Sequence, residues 1–274
     1  IINILQTGSN TTPVSDPHPH YESLQQCDGI KKIFALFQKN GSKYSRDRSA
    51  LCIGYLFKAR FIADPIMRQE IINHLKSLLN DSNARVKGRA KDALKYLAQN
   101  DTNRSEILNE QEFKRIEQEL KQPIEGTQEQ QKNITQRQET DLLLLSSTIE
   151  DRNDNELKKR IIPSGIVESL LAIFINRDLN SITRTYSLAF FYLTNPSSDE
   201  VIHLLLEKKP YTGLIHLVEH TDDLVASDAI ASIINILQTG SNTTPVSDPH
   251  PHYESLQQCD GIKKIFALFQ KNGS

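Results

Sequence analysis

Residues 1–42 return without a single change as residues 233–274, an offset of 232. Ile1–Gly8 therefore reads as the tail of a helix whose beginning is visible only in the second copy, at Leu224–Ile233. The chain is expected to be a window on a tandem array, although a duplicated or overlapping sequence would look the same. Within the 232-residue period a shorter, more degenerate one appears. It is carried by Gly29-IKKIFALF, Ile71-INHLKSLL, Glu112-FKRIEQEL, Gly165-IVESLLAIF, Gly213-LIHLVEH and Gly261-IKKIFALF, each with apolar residues at helical spacing. Their starts lie 42, 41, 53, 48 and 48 residues apart, a helical-solenoid spacing.

A second helix is expected after each of these segments, with small residues set among large ones, as at Ser49-ALCIGYL, Ala90-KDALKYL, Tyr186-SLAFFYL and Ala229-IASIINI. Cys52, Ala93, Ala189 and Ser232 let neighbouring helices come close, while adjacent Leu, Ile and Phe fill the space between them. A third, shorter helix is expected before each anchor, as at Tyr21-ESLQQCD, Asn103-RSEILNEQ, Asn155-ELKKRIIPS and Ser198-DEVIHLLLEKK. The result is three helices per unit.

The order of short helix, G-I-x-x-L-x-x-L-L and A-x-x-A-L-x-N-L resembles the armadillo repeat, and the units without an anchor Gly, at Ile71 and Glu112, resemble the related HEAT type. The resemblance implies an all-α fold, a right-handed armadillo-type α-solenoid built as a superhelix of three-helix repeats. Its units fall at 17–60, 62–100 (HEAT-like), 103–150, 154–195 and 197–239, with a repeat tail at 1–8 and a partial sixth repeat at 249–274. Inside the third unit, residues 122–138 are rich in Gln and poor in apolar side chains, so a disordered or loosely held loop is expected there. The tail and the last half-unit are expected to fray, because their apolar sides lack partners.

Composition narrows the function classes. Lys and Arg number 32 against 34 Asp and Glu, and this balance argues against a dedicated nucleic-acid binder. No apolar run reaches the roughly 20 residues of a bilayer span, so no membrane partner is expected. Cys27, Cys52 and Cys259 represent only two independent positions, which points to a reducing, intracellular compartment, cytoplasmic or nuclear.

His216-Leu-Val-Glu-His220 fits H-x-x-E-H, in which two His one helical turn apart bind zinc. The competing reading puts Leu214, Leu217 and Val218 on a buried face and leaves His216, Glu219 and His220 to water. His18-Pro-His20 and its copy His250-Pro-His252 lack a supporting thiol or carboxylate cluster and read as a solvated loop. Nucleotide, acyl-transfer and redox motifs are absent. The expectation is a non-enzyme with no cofactor and no metal.

In armadillo proteins the last helix of each unit lines a concave groove, and the resemblance directs attention to the exposed stripe of those helices. The stripe gives Arg48 and Tyr55, then Arg85, Arg89 and Tyr96, then Tyr192, and finally Asn235, as candidate binding residues. The Tyr either hold an extended peptide or pack between units, and both readings stay open. Residues 29–122 carry 19 Lys and Arg against 11 Asp and Glu, concentrated on Arg85, Lys87, Arg89, Lys91 and Lys95. That favours an acidic or phosphorylated peptide, unless these are ordinary charges on a solvated helix. The expected partner is a protein or extended peptide held by an interaction scaffold. The alternatives are a helical-repeat nucleic-acid binder or the regulatory array of a larger enzyme such as a kinase.

Overall fold

The computed structural model describes residues 1–39 and 41–272; Asn40 of the first expected unit and residues 273–274 of the sixth lie outside the described residues. Every regular element among the described residues is a helix. The chain forms two compact units, residues 1–110 with 143–150, and residues 111–142 with 151–274.

The first unit contains α1 (Ile2–Asn10), α2 (Tyr21–Gln26), α3 (Gly29–Gln38), α4 (Lys43–Leu56), α5 (Pro65–Leu78), α6 (Ala84–Leu97) and α7 (Asp101–Ile107). Short polar residues start the helices. The side chains of Ser42, Asp64, Asn83 and Asn100 each accept a backbone N–H from the first turn of α4, α5, α6 and α7, and Pro65 opens α5 where no intrahelical donor is needed. The turn into α3 passes through Asp28 at φ 55°, and a Cβ on Gly29 would stand 2.9 Å from the Leu24 carbonyl oxygen. Only glycine lets α2 and α3 approach this closely.

Helix α4 packs on α1, α3, α5 and α6. Its Ala50, Ile53, Tyr55 and Leu56 are fully buried, as are Ile71, Ile72 and Leu75 of α5 and Ala90, Ala93, Leu94 and Leu97 of α6. Each large apolar side chain buried in this way contributes roughly 1.5–3 kcal/mol. Asn103, fully buried, ties the loops together: its amide donates to the Arg60 carbonyl at 2.8 Å and its Oδ1 accepts from the Ile62 N–H at 3.3 Å.

The second unit contains most of α8 (Glu110–Leu120) and α9 (Gln128–Ile149), followed by α10 (Asn155–Ile161), α11 (Ile166–Asn176), α12 (Arg184–Thr194), α13 (Asp199–Glu207), α14 (Tyr211–Leu217), α15 (Asp223–Thr243), α16 (Tyr253–Gln258) and α17 (Gly261–Asn272). Helix α11 packs on α14, and α12 and α14 pack on α15. Ile166, Leu170, Phe174, Phe190, Leu193, Leu217 and Ile236 are buried among them.

The Gln-rich segment departs from expectation. Only its start is a loop, and α9 begins at Gln128. Thr127 and Gln130 close the helix start reciprocally, Thr127 N–H to Gln130 Oε1 at 2.8 Å and Gln130 N–H to Thr127 Oγ1 at 3.3 Å. Gln138 is fully buried: its amide donates to the carbonyls of Glu119 (2.8 Å) and Gln122 (3.1 Å), and its Oε1 accepts from Tyr186 Oη (3.0 Å) and Arg177 (2.7 Å). A polar side chain with all its hydrogen bonds met loses the desolvation cost that would otherwise keep this segment in water.

Candidate peptide-binding surface

The paired helices α4 and α6 bring three of the expected site residues together. Arg48, Arg85 and Arg89 line one recess of about 230 Å³ with Tyr44, Asp47, Leu51, Asn83 and Val86. The Arg48 guanidinium lies 4.1 Å from the Tyr44 ring centroid, a cation–π contact that leaves its edge donors unspent. Arg85 is exposed, and its side chain has no hydrogen-bond or ion-pair partner among the described residues.

The third arginine is committed elsewhere. Arg89 is buried, and its guanidinium donates to Gln6 Oε1 at 3.1 Å and Asn3 Oδ1 at 2.9 Å, both on α1. The carboxylate in the recess is also engaged: Asp47 receives Lys43 at 2.7 Å and His74 at 2.8 Å. Burial holds the His74 imidazole below its ordinary value, and Lys43, bonded to both Asp47 and Asp81, is pushed up.

Other expected site residues are placed differently. Tyr55 and Tyr96 are buried and do not present a ladder of rings to solvent. Their rings sit 5.8 Å apart; Tyr55 Oη donates to the Arg89 carbonyl at 3.4 Å, and Tyr96 Oη donates to Asn10 Oδ1 at 2.9 Å. Burial pushes both phenols up, as it must for a group whose charged form has lost water. Helix α1 supplies the partners, 83–86 residues earlier in sequence than those it bonds, a relation that helical periodicity cannot reveal. Tyr192 is half-buried beside Phe191, and Asn235 donates to Thr194 Oγ1 at 3.1 Å.

The basic stripe is only partly free. Lys91 and Lys95 converge on Glu150 at 2.6 and 3.0 Å instead of extending into solvent. The lining residues not singled out in the sequence were Tyr44, Asp47, Asn83 and Val86; a Tyr four positions before Arg48 on one helix was an available signal.

The histidine motifs also differ from expectation. His216 Nδ1 donates to the Phe174 carbonyl at 2.5 Å, while His220 donates from Nε2 to the Leu179 carbonyl at 2.7 Å and accepts the Asp222 N–H on Nδ1 at 2.8 Å. Both are half-buried struts between helices instead of water-facing side chains, and both His220 nitrogens are spent. No group of three His, Cys, Asp or Glu among the described residues is arranged to hold a metal. His18 is buried, not solvated, with Nε2 on the Leu5 carbonyl at 2.8 Å and Nδ1 accepting the His20 N–H at 3.1 Å.

The described residues form an all-α chain of packed helices that resembles the armadillo/HEAT type of helical repeat. Residues 39–164, less than half of the chain, match the family Cnd1, non-SMC mitotic condensation complex subunit 1. Among solved structures, the designed armadillo repeat protein YIII(Dq)4CqI is 16% identical, with 86% of this chain and 92% of that one covered and a TM-score of 0.44. The designed armadillo repeat protein YIII(Dq.V1)4CPAF in complex with peptide (KR)4 is 15% identical, with 85% and 92% covered and a TM-score of 0.48. No curated protein sequence matches this one. No helix among the described residues is long and apolar enough to cross a membrane.

Proposed function

We propose that this chain is a non-enzymatic interaction scaffold that binds an extended acidic or phosphorylated segment of a partner protein across Arg48 and Arg85. The observation that carries this reading is that two guanidiniums face one recess with donors unspent, while Arg89, Lys43, Lys91 and Lys95 are already paired. A carboxylate or phosphate entering between them would receive paired N–H donors from Arg, and Leu51 and Val86 offer apolar area beside it. The family match over residues 39–164 is to a subunit of a larger complex, which supports a role in assembly. The free thiols of Cys27, Cys52 and Cys259 favour a reducing, intracellular compartment, cytoplasmic or nuclear.

The same pairing weighs against the nucleic-acid alternative, since Lys91 and Lys95 are drawn to Glu150 and Arg115 to Asp141, carboxylates outside the basic segment 29–122. Fluorescence anisotropy with an acidic, a phosphorylated and a neutral peptide library, and with single-stranded RNA, tests the proposal. The expected result is retention of acidic or phosphorylated peptides that weakens about tenfold or more in Arg48→Glu/Arg85→Glu. Capture unaffected by the double charge reversal, or retention of RNA alone, overturns it.

A further inference from the structure

The turn between α8 and α9 forms one wall of a cleft whose other wall is α11. Pro123 and Ile124 line it from the turn, and Ala172 and Ile173 line it from α11, around a volume of about 590 Å³. Both walls belong to the second unit and lie outside both copies of the repeated segment. The turn is fixed at each end. Gln138 donates to the Gln122 carbonyl at 3.1 Å and Arg137 to Gln122 Oε1 at 3.0 Å, while the reciprocal bonds of Thr127 and Gln130 start α9. The cleft is therefore formed before a partner arrives, and binding does not bear the entropy of ordering it.

Charge on the rim is one-sided. Glu125 on the turn and Asp178 just past α11 are exposed and have no ion-pair partner among the described residues. The two cations of the lining are withdrawn. Lys121 is held by Glu117 at 2.6 Å. Arg177 turns inward, with Nη2 on Gln138 Oε1 at 2.7 Å, its guanidinium 5.3 Å from the Tyr186 ring centroid and Nη1 shut off from solvent. Around the rim, residues 123–274 carry 13 Lys and Arg against 20 Asp and Glu, an excess that draws cations.

We infer that this cleft takes a segment of a partner protein in which a large aliphatic side chain is flanked by Lys or Arg. The aliphatic group enters the apolar space that Ile124 and Ile173 line, and the flanking cations reach Glu125 and Asp178. This is a second site, on the other unit of the chain and opposite in charge to the recess of Arg48 and Arg85. It does not rest on the reading of that recess.

Fluorescence anisotropy tests it, with the full chain titrated to about 1 mM into labelled nonapeptides centred on Lys-Leu-Lys, Glu-Leu-Glu and Lys-Ser-Lys. Expected is saturable binding of the Lys-Leu-Lys peptide, at least about fivefold tighter than either control. Ala172→Tyr, which fills the cleft from an exposed position, removes this binding. The pair Glu125→Gln/Asp178→Asn deletes both charges yet keeps the side-chain acceptor that Asp178 offers the Asn180 N–H, and it weakens binding about fivefold. Arg48→Glu/Arg85→Glu leaves it unchanged, which separates this outcome from the fate of the acidic-peptide reading. Absence of saturable binding, equal binding of either control peptide, or binding that the Glu125→Gln/Asp178→Asn pair does not weaken overturns the inference, even where Ala172→Tyr folds poorly.

Discussion

Gly54 of α4 and Ala93 of α6 meet so closely that a Cβ on Gly54 would stand 2.7 Å from the Ala93 Cβ, with Leu75 Cδ1 a further 0.4 Å out at 3.1 Å. The two helices that carry the arginine recess are thus set against each other through a pair of small side chains.

Replacing Gly54 by Ala is expected to destabilise the chain by about 1 kcal/mol or more, although Ala favours a helix interior by about that amount, because overpacking costs more. Thermal unfolding of Gly54→Ala, Ala93→Gly and the pair checks this. The double variant should be less destabilised than the sum of the two single changes, since removing the Ala93 methyl makes room for the new one.

Gln138 is predicted to resist hydrophobic replacement. Changing it to Leu keeps the volume, takes the acceptor from the Tyr186 hydroxyl and the side-chain donor from the Gln122 carbonyl, while the Glu119 carbonyl keeps the Gln122 N–H. A loss of about 1–3 kcal/mol for each group left unsatisfied follows, measured by urea denaturation.

Acid is expected to loosen the first copy. Burial, the largest cause, holds His18 below the ordinary 6.5, and its neutral ring donates to Leu5 and accepts from His20. The unfolded chain therefore takes up the proton first, and stability falls as pH drops below 6.5. Hydrogen exchange at α1 should accelerate in that range, and His18→Gln should flatten the dependence. Unchanged exchange between pH 7 and 5 would contradict it.

Alkali should act in the opposite direction on the second unit. Lys158 is fully buried, with Nζ on the Pro196 carbonyl at 2.6 Å and Ser197 Oγ at 3.1 Å, and desolvation lowers its pKa from 10.5 to about 8. Between those values the folded chain has released a proton that the unfolded chain still holds, so this group adds stability as pH rises from 8 to 10.5. The gain is up to about 3 kcal/mol, and Lys158→Met should remove that part of the slope in chemical denaturation.

Much of the helical order was legible before any coordinates. The Gly-led segments at Gly29, Gly165 and Gly213 and the small-residue helices after them carry a helical period. Arg48 and Arg85 were legible as residues of the helical stripe for the same reason, and the structure places both in one recess. Gln138 and His18 were not, because polarity alone reads as solvent exposure and says nothing of partners 13 to 48 residues away. Tyr55 and Tyr96 were legible only as a choice between packing and display.

By itself the amino-acid order determined the helices, their caps and the identity of the two copies, because those depend on interactions within a few residues of each position. Which arginines keep free donors, and which polar side chains are buried, was decided only in tertiary structure. Burial is a property of the neighbouring helix: Arg85 and Arg89 lie one turn apart on α6, and only Arg89 is buried and bonded to α1.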